Sequence, residues 1–346
     1  MDILNLNAQI APPDEAARSA AQDRWRHVAK PVGSLGALED DITRIAALTG
    51  DPKVRLTPRS VLVMCADNGV AAPDIAITPV RITRVVAEMM ATGRSNVCRM
   101  ARLAGARVFP FDVGMASRSG EPGLYDFHVA DGTADITRGP AMTRGTAISL
   151  IEFGMEQVRL QRDMGTRLIA TGEMGVGNTT TSSAMTAALL GADPALVTGR
   201  GSGLSDESLQ KKISVVRRAL EGNKPDPKDP LDVLSKVGGF DIAAMCGVFL
   251  GGAVYRVPVL LDGVISAVAA LTAVRLCPAA SCAMIATHIS AEPAGKMLLD
   301  EMGLSPLICA GMRLGEGTGA VAAMPMLDMA LEIYDHMLTF SDIGME

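Results

Sequence analysis

This 346-residue sequence predicts an α/β fold with a mainly parallel sheet. Three observations lead there. Short apolar, β-rich runs alternate with longer stretches of helical pattern. Polar signatures rich in Gly, Asp and Glu stand where several of those runs end. The first fifty residues hold two helical stretches and no strand, and another helical stretch closes the chain, so the two ends are expected to pack as a small helical layer.

In chain order, the first strand is 60–66 (SVLVMCA), and a helical pattern covers 83–103. Strand 106–113 (ARVFPFDV) leads into a Gly- and Pro-bearing loop at 117–124. Helix 146–162, strand 167–171 (RLIAT) and helix 179–190 follow. Helix 205–220 runs into a second loop, 222–230 (GNKPDPKDP). The most apolar region, 243–274, is interrupted by Arg256, Pro258 and Asp262, which marks it as core and not as a membrane span. It holds strand 257–261 (VPVLL) and most of helix 264–276. Strand 282–288 (CAMIATH) and a helix over about 320–338 complete the order.

Composition narrows the function classes. Hydrophobic residues make up 48% and charged residues only 20%, so the chain is a packed globular protein. With a net charge of −6 and no basic cluster interleaved with aromatics, nucleic acid is not expected as a partner. The opening MDILNLNAQIAPPDEAARSA has no charged segment followed by an apolar one, so no export signal is expected. Cys65, Cys98, Cys246, Cys277, Cys282 and Cys309 lie mostly in apolar contexts without CxxC spacing, and read as buried thiols of a reducing cytoplasm.

The polar signatures are Asp67-Asn68-Gly69, Gly172-Glu173-Met174-Gly175, Asp262-Gly263, and Ser290 with Glu292. In parallel α/β sheets, ligands bind beyond the carboxyl ends of the strands, so these four are expected to share one pocket. GEMGVGNTTTSSAM (172–185) is the richest motif. Gly175 and Gly177 let backbone amides approach a ligand, and Asn178, three threonines and two serines then open a helix, as suits a phosphate site. The lysine of a Walker loop and the spacing of a dinucleotide site are both absent. A second turn, GRGSGL (199–204), precedes a helix with Lys211 and Lys212; backbone donors plus a lysine suit the other side of the same phosphate, whereas lysines on a helix usually face water.

Two decoys are set aside. Glu39-Asp40-Asp41 with Thr49-Gly50 has the look of a phosphoribosyl-diphosphate motif, but it lies in a helical pattern and reads as a solvated helix face. His288 and Glu292 stand four apart, yet Pro293 interrupts the helix a metal pair would need, so no metal is expected. RLGEGTGA (313–320) is different: glycines stand at both shoulders of one carboxylate, Glu316.

In this order KPVGSLGALE (30–39), CADNGV, GEMGVGNTTTSSAM, GRGSGL, GGFDIAAMCG (238–247), LLDGVISA, HISAEP and RLGEGTGA resemble the nicotinate-nucleotide:dimethylbenzimidazole phosphoribosyltransferases, which activate the lower ligand of cobamides. The resemblance spans about residues 30 to 325. It implies a doubly wound parallel sheet with helices on both faces, plus a small helical domain from both chain ends: 1–50 with 320–346, against a large domain of 51–319. It further implies a dimer of identical or homologous chains, with active sites near the subunit boundary. The implied reaction moves 5-phosphoribose from nicotinate mononucleotide to an aromatic acceptor, inverting the anomeric carbon from β to α. No cofactor is implied.

Glu316 matches the family's general base, with Gly315 and Gly317 leaving room for a flat ring beside it. Glu173 resembles the second carboxylate, near the transferred sugar. The phosphate loop maps to Gly175, Gly177, Asn178, Thr179 and Thr180, with Gly201 and Lys212 opposite. Asp262 and Ser290 match positions facing the nucleotide, and Met174 and Leu314 match apolar walls of the acceptor pocket.

Three departures leave the acceptor open. Asn68 stands where the family commonly has histidine. DIAITPV (74–80), with Ala76 and Val80, replaces a serine- and glutamine-bearing stretch that lines the acceptor site. Ala294-Gly295-Lys296 replaces a glycine–histidine pair. A benzimidazole, a purine or a phenolic compound all remain. Two competing classes are weaker: a nucleotide-dependent oxidoreductase or kinase lacks its fingerprints, and a non-catalytic subunit would not need Glu316 and the phosphate loop.

Overall fold

A computed structural model of the chain describes residues 3–71 and 79–345. Its centre is β1 (Arg59–Ala66), buried along its whole length. Alternate side chains go to opposite faces, so Leu62, Met64 and Ala66 join one apolar cluster while Val61, Val63 and Cys65 join another. Such a strand is held between two helical layers. β2 (Ala106–Gly114) and the short β3 (Tyr125–Asp126) extend the sheet on one side. β4 (Leu168–Met174), β5 (Val259–Leu261) and β6 (Met284–Ala286) extend it on the other. The order is β3-β2-β1-β4-β5-β6, parallel throughout, as a doubly wound fold requires.

One face of the sheet carries α1 (Glu15–His27), α2 (Ala37–Thr49), α3 (Arg81–Ala91) and α4 (Asn96–Leu103). The other carries α5 (Arg144–Asp163), α6 (Asn178–Leu190), α7 (Pro194–Val197), α8 (Asp206–Asn223), α9 (Pro230–Val237), α10 (Phe240–Tyr255), α11 (Val264–Leu276) and α12 (Ala294–Glu301). α13 (Thr318–His336) returns to the first face. There the chain ends meet: Trp25 packs edge-on against Tyr334 with ring centres 5.0 Å apart, and Arg24 Nε donates to the Tyr334 carbonyl at 2.7 Å.

Several elements differ from the sequence pattern. The single helix expected over 83–103 is two, because Gly93 takes φ +73° and Ser95 starts α4 by accepting the Cys98 amide at 3.3 Å. α10 is apolar on every side and so shows no helical period. It presses so closely on α5 that a Cβ at Gly154 or Gly247 would collide with the carbonyl of Ala244 or Ile151. β6 starts two residues later than expected, since Pro278–Ala283 form a 3-10 turn.

The acidic segment of α2 is not a solvated face. Glu39 is buried and accepts from Lys30 Nζ at 2.5 Å, and Asp41 is buried with Oδ2 unpartnered among the described residues. Burial pushes the Asp41 carboxyl up to about 7. Nor are all the thiols buried: Cys282 is partly exposed and Cys309 fully so. Among the described residues no helix is long and apolar enough to cross a membrane.

Candidate active site

β4 ends in Glu173 and Met174, and the chain turns through Gly175 and Gly177 into α6. Gly175 has no room for a side chain, because a Cβ there would run into the Ala66 carbonyl of β1. Gly177 takes φ +94° at the start of α6 and brings no capping side chain. The positive end of α6 is therefore free to meet an anion. Glu173 through Thr180 form one wall of a cavity of about 220 Å³ beyond the carboxyl ends of β4, β5 and β6.

Lys212 of α8 reaches the same cavity, although only 1% of it is exposed. Its ammonium donates to Thr179 Oγ1 at 2.8 Å and to the Gly199 carbonyl at 3.1 Å. Burial lowers its pKa to about 8, against the opposing charge of Glu292. The neighbouring Lys211 behaves as an ordinary helix lysine and pairs with Glu207 at 3.1 Å.

The facing wall is built around Glu316. Gly315, Glu316 and Gly317 have φ of +84°, +62° and +93°. Glycine adopts that left-handed region freely, whereas for Glu316 it costs about 1–2 kcal/mol. The contacts of the side chain fix this geometry. Oε2 accepts the Val97 amide at 3.1 Å and Oε1 accepts from Asn96 Nδ2 at 3.0 Å, so the carboxylate sits on the positive end of α4. A Cβ on Gly315 would lie 2.5 Å from Glu173 Oε1, and one on Gly317 would lie 2.9 Å from Val61 Cγ1. These glycines make room for protein groups, where the sequence pattern had suggested room for a flat ring.

Beneath this loop lies Asp262. Its Oδ1 accepts the Gly319 and Ala320 amides at 2.7 and 3.1 Å, and its Oδ2 accepts the Gly317 amide at 3.1 Å. One buried carboxylate thus satisfies the start of α13, which provides no side-chain cap of its own. Asp262→Asn keeps the size but offers a single acceptor oxygen. At least one amide should lose its partner, at a cost of about 1–3 kcal/mol. Thermal unfolding should show a lower Tm and assays a weaker enzyme, while an unchanged Tm would remove the capping role.

The remaining carboxylates crowd together. Asn178 Nδ2 donates to Glu173 Oε2 at 2.5 Å and to Asp241 Oδ2 at 3.1 Å. Burial, then the charges of Asp241, Asp262 and Glu316, push Glu173 up to about 8, and burial likewise raises Asp241 to about 6. His288 fills the space a Gly319 side chain would need, and burial lowers its pKa against the pull of Asp262.

Of the residues singled out from sequence, Glu173, Met174, Gly175, Gly177, Asn178, Thr179, Thr180, Gly201, Lys212, Ser290, Leu314, Gly315 and Glu316 line this one cavity. Asp262 and Gly317 do not; they lie behind the wall, with the Asp262 carboxylate engaged by α13 instead of pointing to a nucleotide. Val80 is exposed immediately before α3 and also lies off the cavity, while Ala76 falls outside the described residues. Of the four strand-end signatures, Asp67-Asn68-Gly69 is elsewhere: Asp67 accepts from Thr83 Oγ1 at 2.5 Å and from the Ala116 amide at 2.8 Å. Asn68, the departure from the family pattern, is buried against the turn before α6. Sequence reasoning passed over Arg200 and Arg313 as cavity residues and weighed His288 only as half of a metal pair; Glu292, expected in the shared pocket with Ser290, lines it.

A phosphoribosyltransferase family profile matches residues 10–345. The nicotinate-nucleotide–dimethylbenzimidazole phosphoribosyltransferase of Desulforudis audaxviator is 45% identical over 346 residues, covering 99% of this chain and 98% of that protein. The protein of the same name from Clostridium acetobutylicum is 42% identical, covering 100% and 98%. The crystal structure of CobT from Thermus thermophilus superposes with a TM-score of 0.90 at 38% identity, over 96% of this chain and 99% of that one. With identities of this order over nearly whole chains, the chain belongs to the nicotinate-nucleotide–dimethylbenzimidazole phosphoribosyltransferase family.

Proposed function

We propose that this chain transfers 5-phosphoribose from nicotinate mononucleotide to 5,6-dimethylbenzimidazole or a related aromatic acceptor, releasing nicotinate, in cobamide biosynthesis. One observation carries the assignment of roles. A phosphate seat, made by the α6 start, Gly201 and Lys212, and a positioned carboxylate, Glu316, line the same cavity. The seat holds the donor's 5-phosphate, so binding energy remote from the reacting carbon fixes the sugar. Glu316 takes the proton that the acceptor loses as its nitrogen or oxygen bonds to the anomeric carbon. The bond to the pyridinium breaks on the other face, its electron pair returns to the ring nitrogen, and nicotinate leaves with a neutral ring.

Glu173 enters through charge. Burial and the neighbouring carboxylates favour its neutral form, but the pyridinium brings positive charge into that zone and favours the ionised one. An ionised Glu173 then stands near the positive charge that develops on the sugar. We also infer a dimer of identical or homologous chains; exposed Val80, Val85 and Leu103 at and after the start of α3 and on α4 suit such a contact. Sedimentation would decide it.

The test is incubation with nicotinate mononucleotide and a panel holding 5,6-dimethylbenzimidazole, purines and phenols, with phosphoribosylated products identified by mass spectrometry. Because DIAITPV lacks the serine and glutamine that the family carries in this stretch, acceptors without a second ring nitrogen should be used as well. An apolar slot discriminates by only about 1–3 kcal/mol per methylene. Strict use of 5,6-dimethylbenzimidazole would contradict the tolerance, and no product with any acceptor would contradict the reaction.

A further inference from the structure

We infer that Glu292 is a resident anion of the phosphate seat: its carboxylate takes the Gly201 amide of the seat, and the donor's phosphate enters by displacing it. The inference rests on the seat assigned above to Gly201 and Lys212.

Glu292 lies between β6 and α12, on the cavity wall. Its Oε1 accepts the Gly201 amide at 3.0 Å. Its Oε2 fills the space over the Gly199 α-carbon, where a side chain on residue 199 would collide with it. The turn of GRGSGL is therefore shaped around this carboxylate. Among the described residues, Lys212 donates hydrogen bonds to two neutral oxygens, Thr179 Oγ1 and the Gly199 carbonyl. The negative charge that offsets its burial is that of Glu292. One amide thus already serves an anion, and the buried ammonium feels that anion's charge without pairing with it directly.

A donor phosphate, close to dianionic at neutral pH, needs the same two groups. It and the Glu292 carboxylate cannot both accept from one amide, and they repel each other. Displacement requires only side-chain rotation. The Glu292 backbone is tied separately, with its amide donating to Ser290 Oγ at 3.4 Å and its carbonyl accepting the Gly295 amide at 2.9 Å. Phosphate binding becomes an exchange of anions, and the buried ammonium is never left without a counter-charge. The cost is affinity, because part of the phosphate's attraction goes into expelling the carboxylate.

Glu292→Gln keeps the shape and can still accept the Gly201 amide, but it removes the competing charge. At mildly acidic pH, below the value of about 8 at Lys212, KM for nicotinate mononucleotide should fall about three- to thirtyfold, with kcat unchanged or lower. Inorganic phosphate should become a stronger competitive inhibitor by a similar factor. The affinity of nicotinate riboside, which has no phosphate, should stay the same. Glu292→Ala should move KM in the same direction, which guards against a peculiarity of the amide. A KM that is unchanged or raised in both variants, while phosphate still competes with the donor in the unaltered enzyme, overturns the inference and leaves the seat intact. If phosphate does not compete even there, the seat itself is misplaced and the inference falls with it.

Discussion

Glu316→Gln should lower turnover by about 10²–10⁴-fold, the usual contribution of a positioned general base. The replacement is nearly isosteric, and its carbonyl oxygen can still accept the Val97 amide that now holds Oε2. Loop geometry should therefore survive, with the left-handed backbone at residue 316 unchanged. What is lost is the ability to take a proton at neutral pH. Calorimetry should find donor binding almost unaltered, because the proposed phosphate seat lies on α6, Gly201 and α8. The defect should shrink for an acceptor acidic enough to ionise in solution. Near-normal turnover with every acceptor would mean that another group removes the proton. Glu316 would then serve only to tie the loop to α4.

That tie was the least legible part of the site. The glycines flanking Glu316 were visible in RLGEGTGA, and so was the carboxylate. Its partners were not, because they sit at a helix start created by the break between α3 and α4. Read as one helix over 83–103, the segment has no free amides to offer; read as two, with Ser95 as the cap, it has them. The sheet was far easier to read. Strands buried on both faces announce themselves as continuous apolar runs such as SVLVMCA, and the parallel order follows from the helices between them. α10 failed for the opposite reason: burial on all sides erases the period by which a helix is recognised. Asp262 shows a third limit. A strand-end aspartate beside a glycine has the same local signature whether it meets a ligand or a helix start fifty residues away, and only the tertiary contact separates the two.

Lys212→Met should weaken nicotinate mononucleotide without weakening the fold, and that contrast separates a binding lysine from a structural one. Burial has lowered its pKa to about 8 from the ordinary 10.5. Because the folded-state value is the lower one, stability present above the unfolded pKa is lost as pH falls through about 8. At neutral pH the ammonium is thus held in the fold at a cost, and methionine fills the same space without that cost. Against this gain stand two hydrogen bonds from the charged ammonium, to Thr179 Oγ1 and the Gly199 carbonyl, each worth about 1.5–3 kcal/mol. The two sides are of similar size, so the Tm of the ligand-free variant should stay close to that of the parent. Donor binding should respond quite differently. A charge-assisted contact to phosphate is worth about 1.5–3 kcal/mol, so KM for nicotinate mononucleotide should rise roughly 10- to 150-fold. Nicotinate riboside, which never engages the seat, should bind both proteins alike. A variant that melts early yet keeps its donor affinity would assign Lys212 to the packing of α8 against α6 and take the phosphate away from it.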